Sequence, residues 1–208
     1  DLIAGKVAYK HTNGWDRGLT IVTAACDRID LLGDLRIDYD LQFLASINWV
    51  GKSSLEVGIK ISSKESKIWK RVARAYFIMV ARKDGKAETI NSLEPVTFED
   101  KRRFQQGKLR QQQRIEIDQT SYLLNTPTTD ESKVLHDIFL KIKNGNLKGI
   151  PMRNSTRQLT LLMHPQSRNV HNNIFGGYLM REAFELAWNI TYLFCKKRPQ
   201  FVSMDHMY

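Results

Sequence analysis

The chain has 208 residues, 42% of them hydrophobic, and its 32 Lys and Arg against 22 Asp and Glu give a formal charge of +10. That length suits one large domain or two small ones, and no apolar run is long enough to cross a bilayer as a helix. The positive balance favours an anionic partner, whether nucleic acid, a membrane surface or a phosphorylated small molecule.

Asp1 to Thr12 reads as a helix whose apolar side carries Leu2, Ile3, Val7 and Ala8. His11-Thr-Asn-Gly14 ends it, with Gly14 as the stop. Leu19 to Ile29 is rich in Ile, Val and Thr and reads as a strand. After a turn at Gly33-Asp34, Leu35 to Val50 alternates through Leu35, Ile37, Tyr39, Leu41 and Phe43, which predicts one long strand. Gly51-Lys52 is a bulge or sharp bend. Ser54 to Ser62 alternates through Leu55, Val57, Ile59 and Ile61, and Ile68 to Arg82 is a fourth strand closed by Asp84-Gly85. A helix followed by four antiparallel strands with short connections is the pattern of an α+β domain, a helix lying on a curled sheet.

Composition shifts at Ala87. Residues 101–114 (KRRFQQGKLRQQQR) hold six basic residues and no acid. Such a run can bind nucleic acid, but no aromatic platform or base-reading motif accompanies it, so a solvated linker helix is the preferred reading. Asn125 to Asp130 is a loop that starts a helix running through Ile138 to Ile142. Leu159 to Met163 reads as a short strand. It leads into His164 to Trp188, HPQSRNVHNNIFGGYLMREAFELAW, where a polar loop meets a Gly-Gly pair. After Gly177, Leu179, Ala183, Leu186, Ala187 and Ile190 recur at helical spacing. Amides at a helix start have no partner inside the helix and carry partial positive charge, and glycines let another group approach them closely. The combination suits a carbonyl oxygen that becomes negative during reaction; glycines needed only for packing are the plainer alternative. Phe201 to Tyr208 reads as a strand cut short, and with Asp1 rather than Met at the other end the expectation is an internal part of a longer protein. Cys26 and Cys195 lack metal-like spacing and sit in apolar surroundings. They read as free buried thiols, with one disulfide as the alternative. His164 and His171 have no G-x-S-x-G elbow and no ligand cluster beside them, so neither nucleophilic-serine nor metal chemistry is expected.

Three stretches carry a family resemblance: WVGKSSLEV at Trp49 to Val57, YFIMVAR at Tyr76 to Arg82, and HPQSRN with FGGYLMREAFELAW at His164 to Trp188. With them the chain resembles the mitochondrial acyl-coenzyme A thioesterase 9 group, whose members carry two hotdog domains in tandem. The resemblance covers most of the chain in the same order, least distinctly from Ala87 to Arg157. It implies a hotdog fold, an antiparallel sheet curled around a central helix, with both copies incomplete. Residues 1–86 would be the end of the first helix and four strands, 87–157 a basic inter-domain linker, and 158–208 the strand, loop and central helix of the second hotdog.

The resemblance also implies an activity, hydrolysis of fatty acyl-CoA to free fatty acid and coenzyme A, at a site between the two domains. Coenzyme A would be part of the substrate, with no further cofactor. The implied setting is mitochondrial, and the implied assembly a homo-oligomer of tandem hotdogs that does not bind nucleic acid. Relatives place an Asn before the Gly-Gly helix of one domain and an acid on the central helix of the other. Asn169 stands eight residues before Gly177, matching that spacing, and is implied to orient water or the thioester. The family's acid position on this helix is Phe184 here, with Glu185 beside it as a reserve. The implied acid is therefore Asp1, which precedes an apolar stretch ending in Tyr9-Lys10-His11. Gly176 and Gly177 would hold the thioester carbonyl. The competing reading is a non-catalytic hotdog module that binds acyl-CoA or serves assembly. Standing alone, the second helix would expose Leu179, Phe184, Leu186, Trp188, Ile190 and Phe194. The expectation is that it packs on the first half's sheet, with its strand completing that sheet's edge, or that two chains associate.

Overall fold

The computed structural model describes residues 1–33, 35, 38–65, 67–120, 124–146, 149–169 and 172–207, with His206 as backbone only. Helix α1 (Leu2–Thr12) places Ala4, Ala8 and Tyr9 in the core, and the two fully buried alanines let its backbone lie close to the sheet. The helix stops at Asn13, which takes the left-handed conformation (φ 48, ψ 40), one residue before the expected Gly14. Asparagine tolerates that conformation, and its amide closes the helix on the Tyr9 carbonyl.

Four long strands follow: β1 (Thr20–Leu31), β2 (Leu41–Val50), β3 (Ser54–Glu65) and β4 (Ile68–Lys83). A two-residue strand, β5 (Lys86–Ala87), folds back on β4. The second strand is shorter than its alternation predicts; Asp34 and Ile37 lie outside the described residues. The sheet order is β2-β3-β4-β1-β6, antiparallel at every pairing. Leu55, Val57 and Ile59 of β3 join Ala75, Phe77 and Met79 of β4 and Ile21 of β1 in the core against α1. The opposite face holds a buried polar pair, where Asn48 Nδ2 donates to Glu56 Oε1 at 2.9 Å. Helix α2 (Phe98–Thr120) starts over this face. Its Arg103 donates to Ser46, and Gly107 has no room for a side chain, since a Cβ there would fall 2.7 Å from Trp49 Cβ. Arg102 and Arg103 are also paired with Glu99 and Asp100, so part of the basic run is neutralised within its own helix.

Residues 1–107 and 160–208 form one compact unit and 108–159 another. The second contains the rest of α2, α3 (Thr129–Lys143) and the one-turn α4 (Met152–Ser155). Helix α3 opens on a reciprocal cap: Thr128 Oγ1 accepts from the Glu131 amide while the Glu131 carboxylate accepts from the Thr128 amide.

In the first unit, a 3₁₀ turn (Pro165–Ser167) precedes α5 (Gly176–Cys195), and β6 (Ser203–Met207) pairs with β1. The expectation that the second half completes the sheet's edge holds, but through a different segment. Leu159 to Met163 forms no strand, while β6 takes the free edge of β1. Extended propensity does not create a strand without an edge to pair with. Cys195 is exposed at the end of α5, contrary to the expectation of a buried thiol, because α5 has no fully buried residue. Leu179, Phe184 and Phe194 are exposed as expected, whereas Leu186, Trp188 and Ile190 are half-buried. Between α5 and β6 lies an apolar groove of about 290 Å³ lined by Phe184, Trp188, Phe201, Met204 and Met207 among others. Cys26 is buried in β1, and burial, followed by the Asp27 charge, pushes its thiol up to about 11.

Candidate active site

Asp1 stands just before α1 and makes no side-chain hydrogen bond to it. Its Oδ1 accepts the Thr23 hydroxyl at 2.6 Å, and its Oδ2 accepts the Gly177 amide at 2.9 Å. The carboxylate is therefore held at the N-terminus of α5, bridging residues 176 positions apart. Asp1, Thr23, Gly176 and Gly177 are all half-buried. The start of α5 favours negative charge there, and the site is open enough for water to reach it.

Each member is placed by its element. Thr23 lies on β1 opposite Met79 of β4, on the core face with Ile21; past the bulge that face continues at Cys26, opposite Phe77. Register shifts between Thr23 and Ala25 and between Cys26 and Arg28 mark bulges just beyond it. Its hydroxyl also lies 3.6 Å from Met79 Sδ on the neighbouring strand. A Cβ built on Gly176 would touch Asp1 Oδ2 and Thr23 Cβ, both at 3.4 Å. On Gly177 it would strike the Phe175 ring at 2.7 and 3.0 Å and sit 3.4 Å from Asp1 Cβ. The Gly-Gly pair is thus where the carboxylate and the helix backbone come closest.

The loop before α5 is built largely by its asparagines. The Asn169 amide donates to the Asn173 carbonyl at 2.7 Å, and Asn169 Oδ1 accepts the Asn173 amide at 3.1 Å. Arg168 pairs with Ile174 across this turn and donates to Asn172 Oδ1, while Asn172 takes a positive φ of 61. The Phe175 amide returns to the Ser167 carbonyl at 3.0 Å, which presents Phe175 as the residue before the helix.

The structure thus brings Asp1 together with Gly177 and Gly176. It holds the Asn169 side-chain oxygen in its own loop, with no hydrogen bond to Asp1 among the described residues. Glu185 lies on the exposed side of α5, paired with Arg181 at 2.8 Å, and Phe184 packs edge-on against Phe201 at 5.3 Å. His164 is exposed and accepts the Ser167 amide through its carbonyl; His171 lies outside the described residues. No group of three His, Cys, Asp or Glu that could hold a metal occurs among the described residues. No described helix is long and apolar enough to cross a membrane. Thr23 went unread in the sequence; its signal was a polar residue on the core face of an apolar strand.

No protein-family model matches the chain. Its sheet and helices form an α+β hotdog fold. An acyl-CoA hydrolase from Staphylococcus aureus, solved with butyryl coenzyme A, coenzyme A and coenzyme A disulfide, is similar at TM-score 0.51 and 29% identity, over 60% of this chain and 78% of that one. An apo-hexameric acyl-CoA thioesterase is similar at TM-score 0.52 and 25% identity, over 58% and 76%. In sequence, the chain is a relative of the acyl-coenzyme A thioesterase 9 group. It is 36% identical over 200 residues to the mitochondrial acyl-coenzyme A thioesterase 9 of Homo sapiens, covering 90% of this chain and 46% of that protein. The chain spans about half the length of the curated relatives it matches.

Proposed function

We propose that this chain is part of an acyl-CoA thioesterase, and that Asp1, Thr23 and the Gly176-Gly177 helix start form its reacting centre. The observation that carries the reading is the Asp1 carboxylate, which accepts from both the Thr23 hydroxyl and the Gly177 amide. Thioester hydrolysis needs a base for water, donors for the oxyanion and a leaving group. Asp1 takes a proton from water as the water oxygen bonds to the thioester carbon. Thr23 fixes the carboxylate's orientation. The carbonyl oxygen gains negative charge against the amides of Gly176 and Gly177. The C–S bond then breaks, and the sulfur of coenzyme A leaves with the electron pair and takes the proton that Asp1 accepted from water. In the substrate-free molecule the Gly177 amide serves Asp1; as the carbonyl oxygen becomes negative it serves that oxygen. Asn169 shapes the loop that presents these amides and orients the water or the thioester.

The excess of basic residues suits the phosphates of coenzyme A, which is part of the substrate and replaces any separate cofactor. Mitochondrial residence is supported by the human relative's name, and self-association by the hexameric neighbour. The test is turnover of an acyl-CoA panel by the full-length protein and its Asp1→Asn variant. The variant is expected to bind substrate and lose turnover; unchanged turnover overturns the assignment.

A further inference from the structure

We propose that Arg74, Asp30, Arg28 and Asp205 form a charge ladder across β4, β1 and β6 that sets the register of β6, and so positions the α5 amide on Asp1. The inference rests on the thioesterase reading for its catalytic consequence. Asp30 is almost wholly buried, its side chain 8% exposed. Its Oδ1 accepts Arg28 Nε at 2.7 Å and its Oδ2 accepts Arg74 Nε at 2.6 Å. Arg28 Nε lies 3.7 Å from Asp205 Oδ1, and the two residues are directly opposed in the β1–β6 ladder. Burial alone would push the Asp30 carboxyl up, but the two guanidinium groups outweigh it and hold the carboxyl below its usual range.

The register of β6 matters because α5 is joined closely to it. A one-residue slip turns every side chain to the other face. A two-residue slip preserves the faces but shifts the strand by about 7 Å, more than twice the 2.9 Å contact between Gly177 and Asp1. In the observed register Arg28 opposes Asp205 and Asp30 opposes Ser203. Slipped one way, Asp205 comes opposite Asp30, carboxylate against carboxylate, which is unfavourable. Slipped the other way, Asp205 comes opposite the buried Cys26 and loses its cation. Helix α5 follows β6 because only residues 196–202 join them, and Phe201 of that connection packs on Phe184 of the helix. Met180, Met204 and Met207 pack on the shared core and accept small shifts, being flexible side chains. The charges supply the discrimination that the apolar contacts lack.

Asp205→Lys in the full-length protein sets a lysine against Arg28 in the native register and offers it to Asp30 in the slipped one. Two readouts are taken, hydrogen exchange of the first turn of α5 and steady-state acyl-CoA hydrolysis. The expected result is faster exchange at residues 176–180 and a fall in kcat of at least about 100-fold, since a misplacement of only about 1 Å already produces an effect of that size. Asp205→Glu keeps the charge and is expected to behave as the parent. Faster exchange with unchanged kcat supports the ladder and overturns the role given to Asp1 and Gly177. Unchanged exchange overturns the ladder, whatever the activity. Asp205 is 58% exposed, so a folding failure is not expected; Asp205→Asn, milder still, gives the same comparison through its exchange.

Discussion

Thr23→Val is the sharpest test of the reacting centre. Valine keeps the shape of threonine at a half-buried strand position and removes only the hydroxyl. The structure loses one contact of consequence, the 2.6 Å hydrogen bond to Asp1 Oδ1. A hydrogen bond to a charged group is worth about 1.5–3 kcal/mol. At about 1.4 kcal/mol per factor of ten, a bond retained in the transition state corresponds to a fall in kcat of roughly 10- to 150-fold. KM should change little, since the hydroxyl orients the base rather than the substrate. The assay is thiol release from an acyl-CoA substrate by the full-length protein, with Thr23→Ser as the control that keeps a donor. A valine variant whose kcat stays within about twofold of the parent, while the serine variant behaves alike, would remove Thr23 from the mechanism and with it the reason for the Asp1 orientation.

Gly177→Val should abolish activity with the circular dichroism spectrum preserved, since the new side chain meets the flexible Phe175 ring and the Asp1 Cβ; a variant that does not fold would favour packing as the reason for the glycine. Asn169→Ala should lower kcat more than it changes KM, because the loop that its side chain braces against Asn173 presents the α5 amides; normal turnover would remove it from the site. Asp30 titrates below an aspartate's usual 3.8 in the native state, so its contribution is complete above that value and is lost as pH falls through the lower native one. Acid melting curves should therefore drop less steeply for Asp30→Asn than for the parent; parallel curves would show that the two arginines do not stabilise the charged form.

What could be read from the sequence divides by the range of the interaction. Alternation in Ser54 to Ser62 located β3 because its neighbours in sequence alternate between a core and a polar face, and the structure only lengthens it to Glu65. The helix stop was misplaced by one residue because Asn and Gly both enter the left-handed region. Gly14 answers to packing instead: a Cβ there would fall 2.7 Å from the Tyr9 ring. The edge of β1 was harder still. Leu159 to Met163 and Ser203 to Met207 both read as short strands, and only the second has Asp205 to set against Arg28. The two glycines came from the chemistry of a helix start, and Asp1 from a family resemblance. Thr23 needed the register of β1 and the rotation of the Asp1 carboxylate, neither of which is a local property.

The Asp1 carboxylate ties the fold to the proposed reaction. Its negative charge stands at the start of α5, whose Gly177 amide donates to it. That arrangement stabilises the carboxylate before reaction, which by itself would weaken a base. The proposed chemistry resolves the conflict. As Asp1 takes the proton from water, its charge disappears, and the same moment creates a charge on the thioester oxygen. The amide at Gly177 then passes from a neutral acid to an oxyanion, so the field of α5 is transferred rather than dissipated. A base set elsewhere would leave that amide without a ground-state partner, and an aspartate on a polar surface would leave it without a substrate to transfer to. The position of Asp1 against the start of α5 satisfies both conditions with a single side chain.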